Sequence, residues 1–114
     1  MSIKGSPYAR FRAALKAGNL LLVRTAAAEL PQVDLVDALA ICVLMGAQED
    51  DRFDRAATKW LARLALERPT ISLDELRRGL HALDALPHNP GAARGELIAL
   101  CSRHGLPDAA RLLA

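Results

Sequence analysis

Residues 34 to 47 read DLVDALAICVLMGA, and after the opening Asp34 the only charge in the stretch is Asp37. A helix that is apolar around nearly its whole circumference has to be enclosed on most sides. This stretch therefore predicts the central helix of a helical protein. Asp34 suits its N-cap, because a carboxylate accepts from backbone N–H groups that the first turn leaves without partners. No run of alternating β-formers occurs along the chain, so no strand is expected. Of 114 residues, 22 are Ala and 21 are Leu, the two strongest apolar helix formers, while β-branched and aromatic residues are scarce. The fold class that follows is all-α.

Working outward, the punctuation on both sides marks further helices. Upstream, Ser6 and Pro7 give a cap followed by a first-turn proline, and Gly18 supplies a left-handed stop, which predicts a helix over 7–17. Its inner face is expected to carry Tyr8, Phe11 and Leu15, leaving Arg10, Arg12 and Lys16 to solvent. Asn19 caps a second helix, NLLLVRTAAAEL, ended by Pro31; its only charges are Arg24 and Glu29, so it is expected to be largely enclosed. Downstream, Gly46 and the polar run QEDD break the chain before a helix over about 51–67, with Asp50, Asp51 and Asp54 at the positive end of its dipole. Ser72 and Glu75 have capping-box spacing and open a helix that runs to Leu86. Asn89 and Pro90 start another, which Gly105 ends, and PDAARLLA closes the chain as a helix too short to persist unless docked. The expectation is a single helical domain over 1–114, with an N-terminal tail at 1–6. It comprises six to seven short helices packed as antiparallel hairpins, in a bundle or a short solenoid-like stack.

Composition narrows the function classes. With 52% hydrophobic residues and a net charge of only +2, the chain is not intrinsically disordered. Its longest weakly charged stretch, 35–48, falls short of the roughly 20 residues that cross a bilayer, and MSIKGSPYARFR lacks the apolar core of a secretory signal. Cys42 and Cys101 both lie on apolar helical stretches, which argues against a disulfide framework and fits a reducing cytoplasm. The pI of about 8.8 is below that of a dedicated nucleic-acid-binding domain.

The segments LKAGNLLLVRTAAAEL and CSRHGLPDAARLLA share a helix, glycine, helix arrangement, with Gly18 answering Gly105 and Ala pairs after each. This pattern resembles the helical hairpins of tetratricopeptide-like and HEAT-like repeats, in which a small residue sits at the turn and Ala lies at close crossings. The resemblance implies stacked helical hairpins. The helix starts do not keep a 34-residue hairpin period, and the W-x2-L-G-x2-Y pattern is absent. With its GNL, AAAELP and DALAICVL segments, the whole chain is also similar to small all-helical proteins of actinobacteria, a likeness that implies no activity and no site.

Chemistry-bearing constellations are sparse. Cys101 and His104 share a helix face, but the further candidates for a zinc site, Cys42, His81 and His88, are isolated in sequence, so no metal is expected. Ser72 has a capping role, no cysteine sits in a Cys-His signature, and NPGAARGE follows no strand as a phosphate cradle would. Without an acid, base and nucleophile set, neither catalysis nor a cofactor is expected.

Two surfaces stand out instead. On the helix over 51–67, Arg52, Arg55, Lys59 and Arg63 fall within an arc of about 80°, opposite Phe53, Ala57, Trp60, Leu61 and Leu64. On the helix after Ser72, Leu73, Leu76, Leu80 and Leu83 form a narrow seam of coiled-coil character that is either core or interface. Charge alternates along the chain. Residues 1–30 carry five cations and one anion, 31–54 one cation and six anions, and 55–68 four cations and one anion. A dipolar molecule favours a complementary protein partner, or itself as a homodimer, over a polyanion. The expected function is a non-enzymatic protein-interaction module acting through Arg52, Arg55, Lys59 and Arg63, or through Leu76, Leu80 and Leu83. A nucleic-acid accessory role for the basic stripe is the alternative.

Overall fold

The computed structural model of the chain describes residues 6–113. Residues 1–5, most of the expected tail, and residue 114 lie outside the described residues. Among the described residues there are seven α-helices and no strand: α1 (Pro7–Ala17), α2 (Leu20–Ala28), α3 (Leu35–Ala47), α4 (Phe53–Glu67), α5 (Leu73–Ala85), α6 (Pro90–Arg103) and α7 (Asp108–Leu113). The all-α class is the one the chain adopts. The expected domain over 1–114 spans two compact units, Met1–Asp34 and Leu35–Ala114.

The first unit is a helical hairpin. The Ser6 hydroxyl accepts the Ala9 N–H at 3.1 Å to cap α1, and the Asn19 side chain accepts the Leu22 N–H at 3.1 Å to cap α2. Between them Gly18 adopts φ 70°, the left-handed conformation open to glycine without steric penalty. Phe11 and Ala14 of α1 are buried, as are Leu20, Val23 and Ala26 of α2, and Arg10 pairs with Glu29 at 2.7 Å. Two sequence expectations fail here. Tyr8 is 46% exposed, its ring tilted against Phe11, while Leu21 and Leu22 of α2 are 71% and 52% exposed. A nine-residue helix with one buried stripe encloses only that stripe, so scarcity of charge does not by itself mean burial.

In the second unit α3 packs on α4, α6 and α7, and α5 packs on α4 and α6. Eight of the thirteen residues of α3 are buried, Asp37 among them, so the helix is central in its unit, as the charge-poor sequence implies. Consecutive helices fold back on one another. The Trp60 indole N–H donates to the Leu35 carbonyl at 2.7 Å, tying the middle of α4 to the start of α3. Leu39, Leu64 and Leu97 are fully enclosed, each contributing about 1.5–3 kcal/mol by leaving water. The final helix α7 is docked on α3 and α6 through Ala109 and Leu113, which meets the condition for so short a helix.

The turns correct the sequence reading in detail. Gly46 does not break the chain; it lies inside α3, where an added Cβ would stand 3.2 Å from the Phe53 ring. The left-handed residue at that turn is Glu49, at φ 52°, with the Asp50 N–H donating to the Met45 carbonyl in a Schellman arrangement. Helix α4 starts at Phe53, with Arg52 at its cap position and no side-chain capping bond. Asn89, expected to cap α6, makes no capping bond either. The Ser72–Glu75 capping box of α5 is formed in full.

Candidate functional site

Helix α4 buries Phe53, Ala57, Trp60 and Leu64 on one stripe. On the flank toward α5 it presents Thr58, Ala62 and Ala65, side chains that end near the backbone. Helix α5 answers with Leu73, Leu76, Leu80 and Leu83. Small residues on one wall cannot cover leucines on the other, so an open apolar groove of about 800 Å³ runs between the two helices.

The leucine seam foreseen in the sequence is split by this geometry. Leu83 is 2% exposed and belongs to the core, Leu76 is half-buried, and Leu80 and Leu73 are 56% and 79% exposed. The cause is the direction in which α5 leans. Gly79 is its point of closest approach, where an added Cβ would meet Leu100 and Leu61 side chains at 3.1 Å. That contact turns the Gly79, Ala82 and Leu83 stripe inward and leaves the Leu73 and Leu80 edge over the groove.

The groove rim is polar and uneven. Asp54 of α4 and Asp84 of α5 line it together, both exposed, and among the described residues neither carboxylate is paired with another side chain. Arg77, two turns before Asp84 on α5, lines it as well and meets Asp74 at 3.5 Å with both side chains largely in solvent. That pair is loose, because Asp74 is held more tightly by Arg78 at 2.6 Å.

The basic stripe of α4 is reduced by local ion pairs. Arg52 folds back on Asp50, with Nε and Nη2 donating to its two carboxylate oxygens at 2.9 and 2.8 Å, and Arg63 donates to Glu67 at 2.6 Å. Arg55 and Lys59 stand exposed, with no carboxylate partner among the described residues. Exposed Leu66 lies on the same face, about one turn beyond Arg63.

A polar cluster that sequence spacing did not reveal joins α5 to the end of α6. The Glu75 carboxylate accepts from the Ser72 backbone N–H at 3.0 Å and from Arg103 at 3.2 Å, and lies 3.0 Å from His104 Nε2. The Ser72 N–H, then the His104 side chain, hold its carboxyl well below the ordinary range, at about 2. Arg68 donates to the His104 carbonyl at 2.8 Å and closes the α6 end. His104 thus faces a carboxylate, whereas its helix neighbour Cys101 is fully buried. Burial pushes the Cys101 thiol up to about 11 and the Cys42 thiol up to about 12. Among the described residues no group of three or more His, Cys, Asp or Glu is placed to hold a metal ion, and no helix is long and apolar enough to cross a membrane. No family model matches this chain, nor does any curated protein or solved structure.

Proposed function

We propose that this chain is a non-enzymatic, cytoplasmic protein-interaction module that receives an amphipathic helix in the groove between α4 and α5. The observation that carries the reading is the pair Leu73 and Leu80, exposed at 79% and 56% along one continuous apolar groove. Grooves of this kind recognise helices by taking side chains at i, i+3, i+4 and i+7, and the rim charges then fix orientation. The two thiols, buried and poor in thiolate, are in keeping with a reducing compartment and carry no chemistry of their own. The alternative, a nucleic-acid surface on α4, draws on only Arg55 and Lys59, because Arg52 and Arg63 already hold carboxylates. Phosphate contacts supply that kind of affinity roughly in proportion to their number, and two are few.

Photo-crosslinking in the native cells tests the reading. A photoreactive residue at position 80 is expected to capture a defined helical segment, of another protein or of a second copy. The same residue at position 111, on the exposed side of α7, is expected to capture none. Equal capture at both positions overturns the reading.

A further inference from the structure

We infer that the occupant of the groove is α5 of a second copy of this chain, entering about a two-fold axis at Leu80. This rests on the groove as a helix-docking site and names its partner. In such a pair each α5 lies in the groove between the other copy's α4 and α5, and four helices share one apolar seam. A two-fold interface must be self-complementary, with each residue meeting its counterpart's partner in reverse order.

The groove edge of α5 has that property. Leu73, Arg77, Leu80 and Asp84 follow one another at spacings of four, three and four, on one stripe of the helix. Arg77 and Asp84 are seven residues apart, about 10 Å along the axis, and their midpoint falls beside Leu80. An antiparallel copy centred there sets Leu80 against the partner's Leu80. It also sets each Arg77 against the partner's Asp84, so the charge pair forms twice. Asp54 reinforces the match, because it lines the same groove as Asp84 and adds a second carboxylate for the incoming guanidinium. Among the described residues of one chain these two carboxylates have no side-chain partner, and Arg77 has the loose contact with Asp74. The pairing supplies what each lacks. Burial of Leu73 and Leu80 contributes the apolar part.

Sedimentation of the full chain from 1 to 500 µM is the test. The wild type is expected to shift from monomer to dimer across this range, and Leu80→Glu to stay monomeric with an unchanged helical circular dichroism spectrum, since position 80 lies largely in solvent. Arg77→Asp and Asp84→Arg each bring like charges together twice and are expected to weaken self-association about tenfold or more. Mixing those two variants restores both opposite-charge pairs, so a heterodimer is expected where neither variant associates alone. A wild type that remains monomeric at 500 µM overturns the inference, as does a dimer that Leu80→Glu leaves intact, or a mixture that behaves like its separate components. If the chain is monomeric while position 80 still captures a different protein in cells, the second-copy inference falls and the helix-docking reading stands. If position 80 captures nothing beyond the control, both fall.

Discussion

Replacing Trp60 by Phe tests the packing of α4 on α3 most directly. The indole is 2% exposed, and its N–H donates to the Leu35 carbonyl at 2.7 Å. Phenylalanine puts one six-membered ring in place of the fused pair and loses the N–H donor. The void left behind, on the order of 30–40 Å³, costs about 1 kcal/mol at about 24 cal/mol per Å³. Loss of the hydrogen bond adds about 1 kcal/mol net, and no more, because Leu35 opens α3 and its carbonyl keeps the helical donor four residues on. The expected destabilisation is about 2 kcal/mol, or a fall in Tm of about 8 °C for a chain of this length. Urea unfolding followed by circular dichroism measures it, with the midpoint lowered and the slope unchanged. Leu66→Ala, on the same helix but 83% exposed, is the control and is expected to stay within about 0.5 kcal/mol of wild type. A Trp60→Phe loss below about 0.5 kcal/mol would refute the reasoning, since neither a buried ring nor its bond could then be holding α4 to α3.

Two backbone substitutions are expected to stabilise and one to destabilise, each read as a shift in urea midpoint. Glu49→Gly relieves the left-handed φ of 52° and Gly95→Ala fills open space in α6, each gaining about 0.5–1 kcal/mol, whereas Gly105→Ala at φ 77° loses about 1 kcal/mol. Glu75 is held below its ordinary value of 4.5, at about 2, so its carboxylate form is favoured by folding. Its contribution is complete above about pH 4.5 and is lost as pH falls toward 2. Glu75→Gln is therefore expected to flatten the fall in urea midpoint between pH 4.5 and 2, and parallel curves for the two proteins would contradict this. Cys42 and Cys101 are expected to resist alkylation in the native state at pH 8 and to react fully in denaturant; rapid native labelling of either thiol would refute their burial.

Helix positions were legible because this chain punctuates them with residues that act locally. Ser6, Asn19 and Ser72 cap the helices they were expected to cap, and Gly18 and Gly105 take the left-handed conformation. The place of α3 was legible for a different reason, since a stretch with one charge has few ways to avoid burial. What could not be read depends on neighbours far along the chain. The left-handed residue after α3 is Glu49 rather than Gly46, because Gly46 is needed small against Phe53. A helical wheel placed four cations on one stripe of α4, but it carries no information on which of them reach back to Asp50 or forward to Glu67. It also gave the arc of the α5 leucines without saying where the core boundary crosses it. Gly79 sets that boundary by letting α5 close on Leu61 and Leu100, and so Leu83 is core while Leu80 is surface.

The groove is better understood as an arrangement than as a shortage of large residues. The chain holds 21 leucines, yet the α4 flank facing Leu73 and Leu80 carries Thr58, Ala62 and Ala65, while Leu66 on the same helix points to solvent. Isolated exposed leucines such as Leu21 and Leu66 are ordinary on a soluble surface and call for no explanation. Leu73 and Leu80 differ because they share one concave apolar strip with half-buried Leu76 and Leu61. A strip that only faced water would gain from long charged side chains on its walls, which lie across apolar surface and keep their heads hydrated. Among the described residues Arg77 is the one long cation on the lining, and the carboxylates at 54 and 84 are short and without a side-chain partner. These features are what the proposed self-pairing requires of the groove: an occupant that brings both a leucine and a guanidinium, as α5 itself does.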